Sequence, residues 1–162
     1  MKGVGAQGVL VIGASFAVAL ALTVLPLPGW TSAARPEWVA LVLIYWCMAV
    51  PSRVGVGVGW GVGLLLDVMR GAVLGQHALS LAIVAYLTLK LHQRVRVYPL
   101  WQQALSILVL IALHQMILLW IRGITGQAPA GWDYWTPSLT SMLLWPWLFL
   151  ILRDVRRRFQ IS

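Results

Sequence analysis

Acidic residues are nearly absent from this chain. Four Asp and Glu stand against twelve Lys and Arg in 162 residues, for a formal charge of +8. All charged residues together make up 10%, against roughly 25% in ordinary soluble domains. Four scattered acids leave no paired carboxylates for acid–base work. There is no Walker loop, no HExxH and no Cys/His cluster at metal spacing. These absences argue against an enzyme, a cofactor and a metal. Cys47 is the only cysteine, which excludes an internal disulfide. It lies in an apolar run and reads as a small packing residue. The chain also lacks a soluble domain, a low-complexity tract and a usable internal repeat.

What the chain has instead is apolar surface. It is 60% hydrophobic and holds ten tryptophans. A soluble protein of this size cannot bury so much, so the bilayer is its solvent. The basic residues sit between apolar runs and at the C-terminus, which fits membrane topology and not nucleic acid. Six candidate spans follow, at about 8–25, 36–50, 54–69, 77–91, 100–121 and 137–152. The expected fold is an all-α integral membrane protein, six transmembrane helices in one bundle. Pro36 suits a first helical turn and Glu37 its N-terminus; Pro51 closes that span, and Pro146 predicts a kink in the last.

Six spans put both termini on one side. Lys2, Arg53, Lys90, Arg94, Arg96, Arg153, Arg156, Arg157 and Arg158 share that side; Arg35, Arg70 and Arg122 lie opposite. The positive-inside rule makes the first side cytoplasmic. "TSAA" at 31–34 loosely fits a cleavage site, but the preceding apolar run is long for a signal core and prolines separate the two. The loop at 123–136, "GITGQAPAGWDYWT", carries a turn signal.

The stretch "VGVGVGWGVGLLLDVMRG" places glycine at 55, 57, 59, 61 and 63. A lone strand would leave its backbone unpaired in lipid, so the segment reads as a helix. Gly55, Gly59 and Gly63 then form one smooth stripe, and Gly57 and Gly61 a second, roughly 200° around. Two bare faces predict a central helix approached closely from both sides. Asp67 continues the first stripe as a polar anchor or a partner contact. Its candidate partners are His77, a partner chain and, as the plainest choice, Arg70 three residues on. Arg53 is disfavoured because fourteen helical residues separate it by about 21 Å. Gly71 and Gly75 extend the packing set.

His114 and Gln115 lie deep in the fifth span. They read either as a ligand or proton site or as a hydrogen bond to a neighbouring helix, and the second is favoured. Trp30, Trp38, Trp101, Trp120, Trp132 and Trp135 fall near span ends, as an interface belt does. Trp46, Trp60, Trp145 and Trp147 lie deeper. The tail "RDVRRRF" reads first as a topology determinant; binding to anionic lipid or to a cytoplasmic partner is its alternative.

Residues 35–75 resemble the core of the bacterial rod shape-determining MreD family. The matching positions are Arg35, Pro36, Trp38, Tyr45, Trp46, Pro51, Arg53, Gly59, Gly63, Asp67, Gly71, Leu74 and Gly75. "WQQAL" at 101–105 (Trp101, Gln102, Gln103), "WPW" at 145–147 (Trp145, Pro146, Trp147) and the basic end extend the likeness. The resemblance implies a non-enzymatic inner-membrane scaffold of the elongation complex. It further implies binding to the single-span protein MreC and action with MreB, RodA and a class-B penicillin-binding transpeptidase in lateral peptidoglycan synthesis. Self-association stays open. The family's likeness to the S-components of energy-coupling-factor transporters suggests an alternative, a small-molecule carrier using Asp67, Gln76, His77 and Tyr134. "AVALA" at 17–21 has the spacing such proteins use to dock a transport module.

Overall fold

The computed structural model describes residues 6–24, 37–51, 54–71, 74–124, 126 and 135–159. Among them are six helices and no strand: α1 Ala6–Val24, α2 Trp38–Ala49, α3 Val56–Arg70, α4 Gln76–Arg96, α5 Leu100–Ile124 and α6 Thr136–Arg158. One helix occupies each predicted segment, and the ends differ by at most six residues. Three of them, Gln7–Val24 within α1, then α5 and α6, are long and apolar enough to cross a membrane. The helix α6 runs through Pro146.

The central position belongs to α2, and not to the glycine-rich helix as the two-stripe pattern suggested. Every residue from Val39 to Met48 is buried. A helix apolar on all sides belongs in a protein core or in lipid; this one is in the core, with α1, α4 and α6 packed around it. Its twelve residues span about 18 Å, short of the roughly 30 Å hydrocarbon core. Trp46 Nε1 donates to Ser15 Oγ at 2.8 Å, tying α2 to α1. Tyr45 packs edge-on against Trp46 and Phe149.

The most extensive pairing is α3 on α4. Glycine makes it close. A Cβ on Gly63 would stand 2.4 Å from Ala78 Cα, and one on Gly59 2.9 Å from the Leu81 carbonyl oxygen. The complement on α4 is Ala78, Leu81 and Ala85, and a Cβ on Gly59 would meet Leu81 and Ala85 in turn. Gly55 faces Leu89 at the far end of the same seam. Gly57 and Gly61 meet nothing within 4 Å. The helix α3 is therefore peripheral: one glycine stripe is filled and the other is open.

A second clamp holds the opposite end of the bundle. Gln103 Nε2 donates to the Val95 carbonyl at 3.1 Å, near the C-terminus of α4. Its Oε1 accepts from Trp145 Nε1 at 3.2 Å. A single buried amide thus joins α4, α5 and α6. Trp46 and Trp145 are fully buried, while Trp60, Trp101, Trp120 and Trp147 are more than half exposed.

Candidate functional site

Polar side chains are scarce inside this protein, and most of them gather in one place. Glu37 stands at the start of α2, Asp67 near the end of α3, Gln76, His77 and Ser80 at the start of α4. His114 and Gln115 come from α5, Ser138 and Ser141 from the start of α6. All but Glu37 are at least 97% buried.

The turn between α3 and α4 builds the first half. Gly71 ends α3 at φ 66° and Gly75 begins α4 at φ 95°, the left-handed region that glycine enters without a Cβ penalty. A Cβ at either would meet nothing within 4 Å, so these two serve the chain reversal and not helix packing. The reversal folds the amino end of α4 back onto Asp67. Gly75 N–H donates to Asp67 Oδ2 at 3.0 Å and His77 N–H to Oδ1 at 2.9 Å. Ala78 N–H adds a longer contact of 3.4 Å. An α-helix opens with orphan amide groups, and Gly75 has no side chain to cap them. Asp67, one helix earlier, does so, and its charge suits the positive end of the α4 dipole.

Asp67 Oδ1 also receives His77 Nδ1 at 2.7 Å. A carboxylate only accepts, so Nδ1 carries the proton and Nε2 is the ring's free nitrogen. The partner of Asp67 is thus His77. Arg70 is exposed, and among the described residues it makes no ion pair with Asp67. Arg53 lies outside the described residues, as do Arg35, Pro36, Tyr134 and residues 127–134 of the long loop.

The second half centres on His114. Its Nδ1 lies 2.5 Å from Ser80 Oγ, which also lies 3.1 Å from the His114 carbonyl. This is the helix–helix hydrogen bond favoured from the sequence. His114 is not alone, however. Its Nε2 is 3.5 Å from Glu37 Oε2, and its ring centroid is 6.1 Å from that of His77. Ser141 Oγ accepts the Glu37 N–H at 3.0 Å, and Ser138 donates to Gln115 Oε1. All five helices α2 to α6 are thereby joined through polar groups.

Ser80, His114 and Glu37 stand in the order of a hydrolase triad, but the chemistry does not follow. Ser80 is fully buried, and its hydroxyl is engaged with both a ring nitrogen and a carbonyl of one residue. A nucleophile needs a reachable carbonyl carbon and donors for the developing oxyanion. Among the described residues no group of three His, Cys, Asp or Glu is placed to hold a metal. What the network does is fix helix register: buried polar groups cost energy unless paired, so the bundle has one arrangement that satisfies them. Gln76 Nε2 and His77 Nε2 have no hydrogen-bond partner among the described residues, and His114 Nε2 has only its 3.5 Å contact with Glu37.

The candidate packing residues separate into roles. Gly59 and Gly63 seat α3 on α4, and Gly55 lies beside Leu89. Of the positions behind the family resemblance, Tyr45, Trp46, Gln103 and Trp145 are core residues. Trp38, Pro51, Gln102 and Pro146 are partly buried, and Trp101 and Trp147 face outward. Sequence reasoning missed the joining of Glu37 to His114, which lie 77 positions apart.

No solved structure matches the chain. A curated relative does: the rod shape-determining protein MreD of Haemophilus influenzae is 32% identical over 146 residues, covering 90% of each chain. The family profile described as rod shape-determining protein MreD matches residues 5–155. With nearly its whole length matched, the chain belongs to the rod shape-determining MreD family.

Proposed function

We propose that this protein is a non-enzymatic scaffold of the rod-shape machinery, a six-span bundle in the inner membrane with both termini cytoplasmic. In this reading it binds the single span of MreC, and so supports lateral peptidoglycan synthesis with MreB, RodA and a class-B penicillin-binding transpeptidase. The observation that carries the reading is the open stripe on α3. Gly57 and Gly61 are four apart, meet nothing within 4 Å, and are flanked by exposed Val56 and Trp60. Helices in lipid associate through such small-residue faces, because close backbone approach maximises van der Waals contact. Co-purification of tagged MreC with Gly57→Leu and Gly61→Leu variants tests it. Loss of MreC from variants that stay monodisperse supports the reading; full retention sinks it.

A second reading, the small-molecule carrier, draws on the nitrogens of Gln76 and His77 that have no hydrogen-bond partner among the described residues. It predicts that protein purified from cells carries a small ligand in native mass spectra, lost in His77→Ala. A ligand-free wild-type spectrum rejects it.

A further inference from the structure

The opposite end of the bundle holds a cavity that neither reading uses. It has a volume of about 230 Å³ and is lined by Tyr45, Met48, Ala49, Gln103, Phe149 and Arg156. That is far more than the roughly 30 Å³ of one water. The residues come from the end of α2, the start of α5 and the last turns of α6, so the cavity opens at the basic end of the bundle. Three lining residues are apolar and three polar.

Two of the polar groups suit a ligand. Tyr45 is 2% exposed as a residue, and it lines the cavity, where its hydroxyl can donate to a bound group. Arg156 is half-buried, and among the described residues it has no acidic partner. The tail's one carboxylate, Asp154, pairs with Arg158 at 3.2 Å. Gln103 is fully occupied by Val95 and Trp145 and acts as a fixed wall. Arg153 lies over the Phe149 ring at 5.8 Å, and Arg153, Arg156 and Arg157 all bear electrostatically on Tyr45.

A hydroxyl donor lining the cavity, a guanidinium with no acidic partner among the described residues and three apolar surfaces at a helix-bundle rim suit a ligand with an anionic oxygen head and a hydrocarbon body. We propose that this cavity binds the phosphate of an anionic phospholipid. Arg156 donates to the phosphate oxygens, the Tyr45 hydroxyl donates a further hydrogen bond, and an acyl chain lies along Met48, Ala49 and Phe149. Guanidinium forks suit phosphate geometry, and each basic residue near a charged leaflet adds attraction. The site does not depend on MreC, so its test uses the purified protein alone.

The experiment is titration of delipidated protein in detergent with phosphatidylglycerol, read by native mass spectrometry, with phosphatidylethanolamine as comparison. Wild type takes up one phosphatidylglycerol in preference to phosphatidylethanolamine. Arg156→Gln weakens that uptake about tenfold and Tyr45→Phe roughly fivefold, the scale of one charged and one neutral hydrogen bond. Arg158→Gln, which removes the same charge outside the cavity, leaves it within twofold. An equal fall in Arg156→Gln and Arg158→Gln means diffuse charge attraction and overturns the site. Unchanged uptake in both Arg156→Gln and Tyr45→Phe also overturns it. Excess inorganic phosphate leaves the lipid bound; displacement by phosphate assigns the cavity to a free ion and overturns the lipid. Matching melting temperatures show that the variants keep the fold. Arg156→Lys, which keeps the charge, retains more uptake than Arg156→Gln, and wild-type uptake in Tyr45→Phe overturns the site as proposed.

Discussion

Four glycines of one helix offer a single substitution with opposite outcomes. Gly63→Ala and Gly61→Ala add the same methyl group two positions apart on α3. At Gly63 the new Cβ would stand 2.4 Å from Ala78 Cα and 2.6 Å from Ala78 N and the His77 carbonyl oxygen. Ordinary contact begins near 3.4 Å, and backbone atoms cannot rotate away. The two helices must therefore part by about 1 Å, a gap that loses a quarter to a half of each contact's attraction. Overpacking of this kind costs about 3 kcal/mol, and the better helix propensity of alanine offsets about 1. The net loss at Gly63 is about 2 kcal/mol. At Gly61 nothing lies within 4 Å, so only the propensity gain of up to about 1 kcal/mol remains. Near 3 °C per kcal/mol for a chain of this size, the two variants should differ by about 9 °C in melting temperature. Heating the detergent-solubilised protein, with the folded fraction read by size-exclusion chromatography, measures this. Shifts of the same sign and size in both variants refute the one-sided packing of α3.

Asp67→Ala leaves three amide groups and an imidazole N–H without their acceptor, so it should destabilise by about 4 kcal/mol. Asp67→Asn keeps one oxygen and should lose about half as much; hydrogen exchange at residues 75–78 should rise in both. Trp145→Phe deletes the donor to Gln103 while keeping the ring packing, and should cost about 1 kcal/mol in thermal unfolding. Cys47 is fully buried, so maleimide should label it only after denaturation; rapid labelling in intact membranes contradicts its place in the core. Reporter fusions after Gln127 and at the C-terminus should report opposite sides, with the C-terminus cytoplasmic.

The helices were legible because apolar runs here end at Pro, Gly or Arg, and little else competes for the assignment. The turn at Gly71 and Gly75 was visible as residues but not as purpose. Only the positive φ of both, folding His77 back to Asp67, turns an isolated carboxylate into a helix cap. The two glycine stripes looked equivalent because sequence shows which faces are bare and not which are filled. The answer lay on another helix, in Ala78, Leu81 and Ala85. The central helix had left a sign: α2 is apolar on every side, whereas α3 carries Asp67 and Arg70. The joining of Glu37 to His114 had none, since a contact between distant spans leaves no local pattern.

Disulfide crosslinking in membranes tests the scaffold reading most directly. In a Cys47→Ala background, single cysteines at Gly57, Gly61 and, as a comparison, Leu143 on the exposed face of α6 would be paired with cysteines scanned along the MreC span. The account predicts crosslinks at 57 and 61, repeating every three to four MreC residues, and none at 143. Crosslinks confined to 143, or absent at 57 and 61 while both proteins are present, would contradict it.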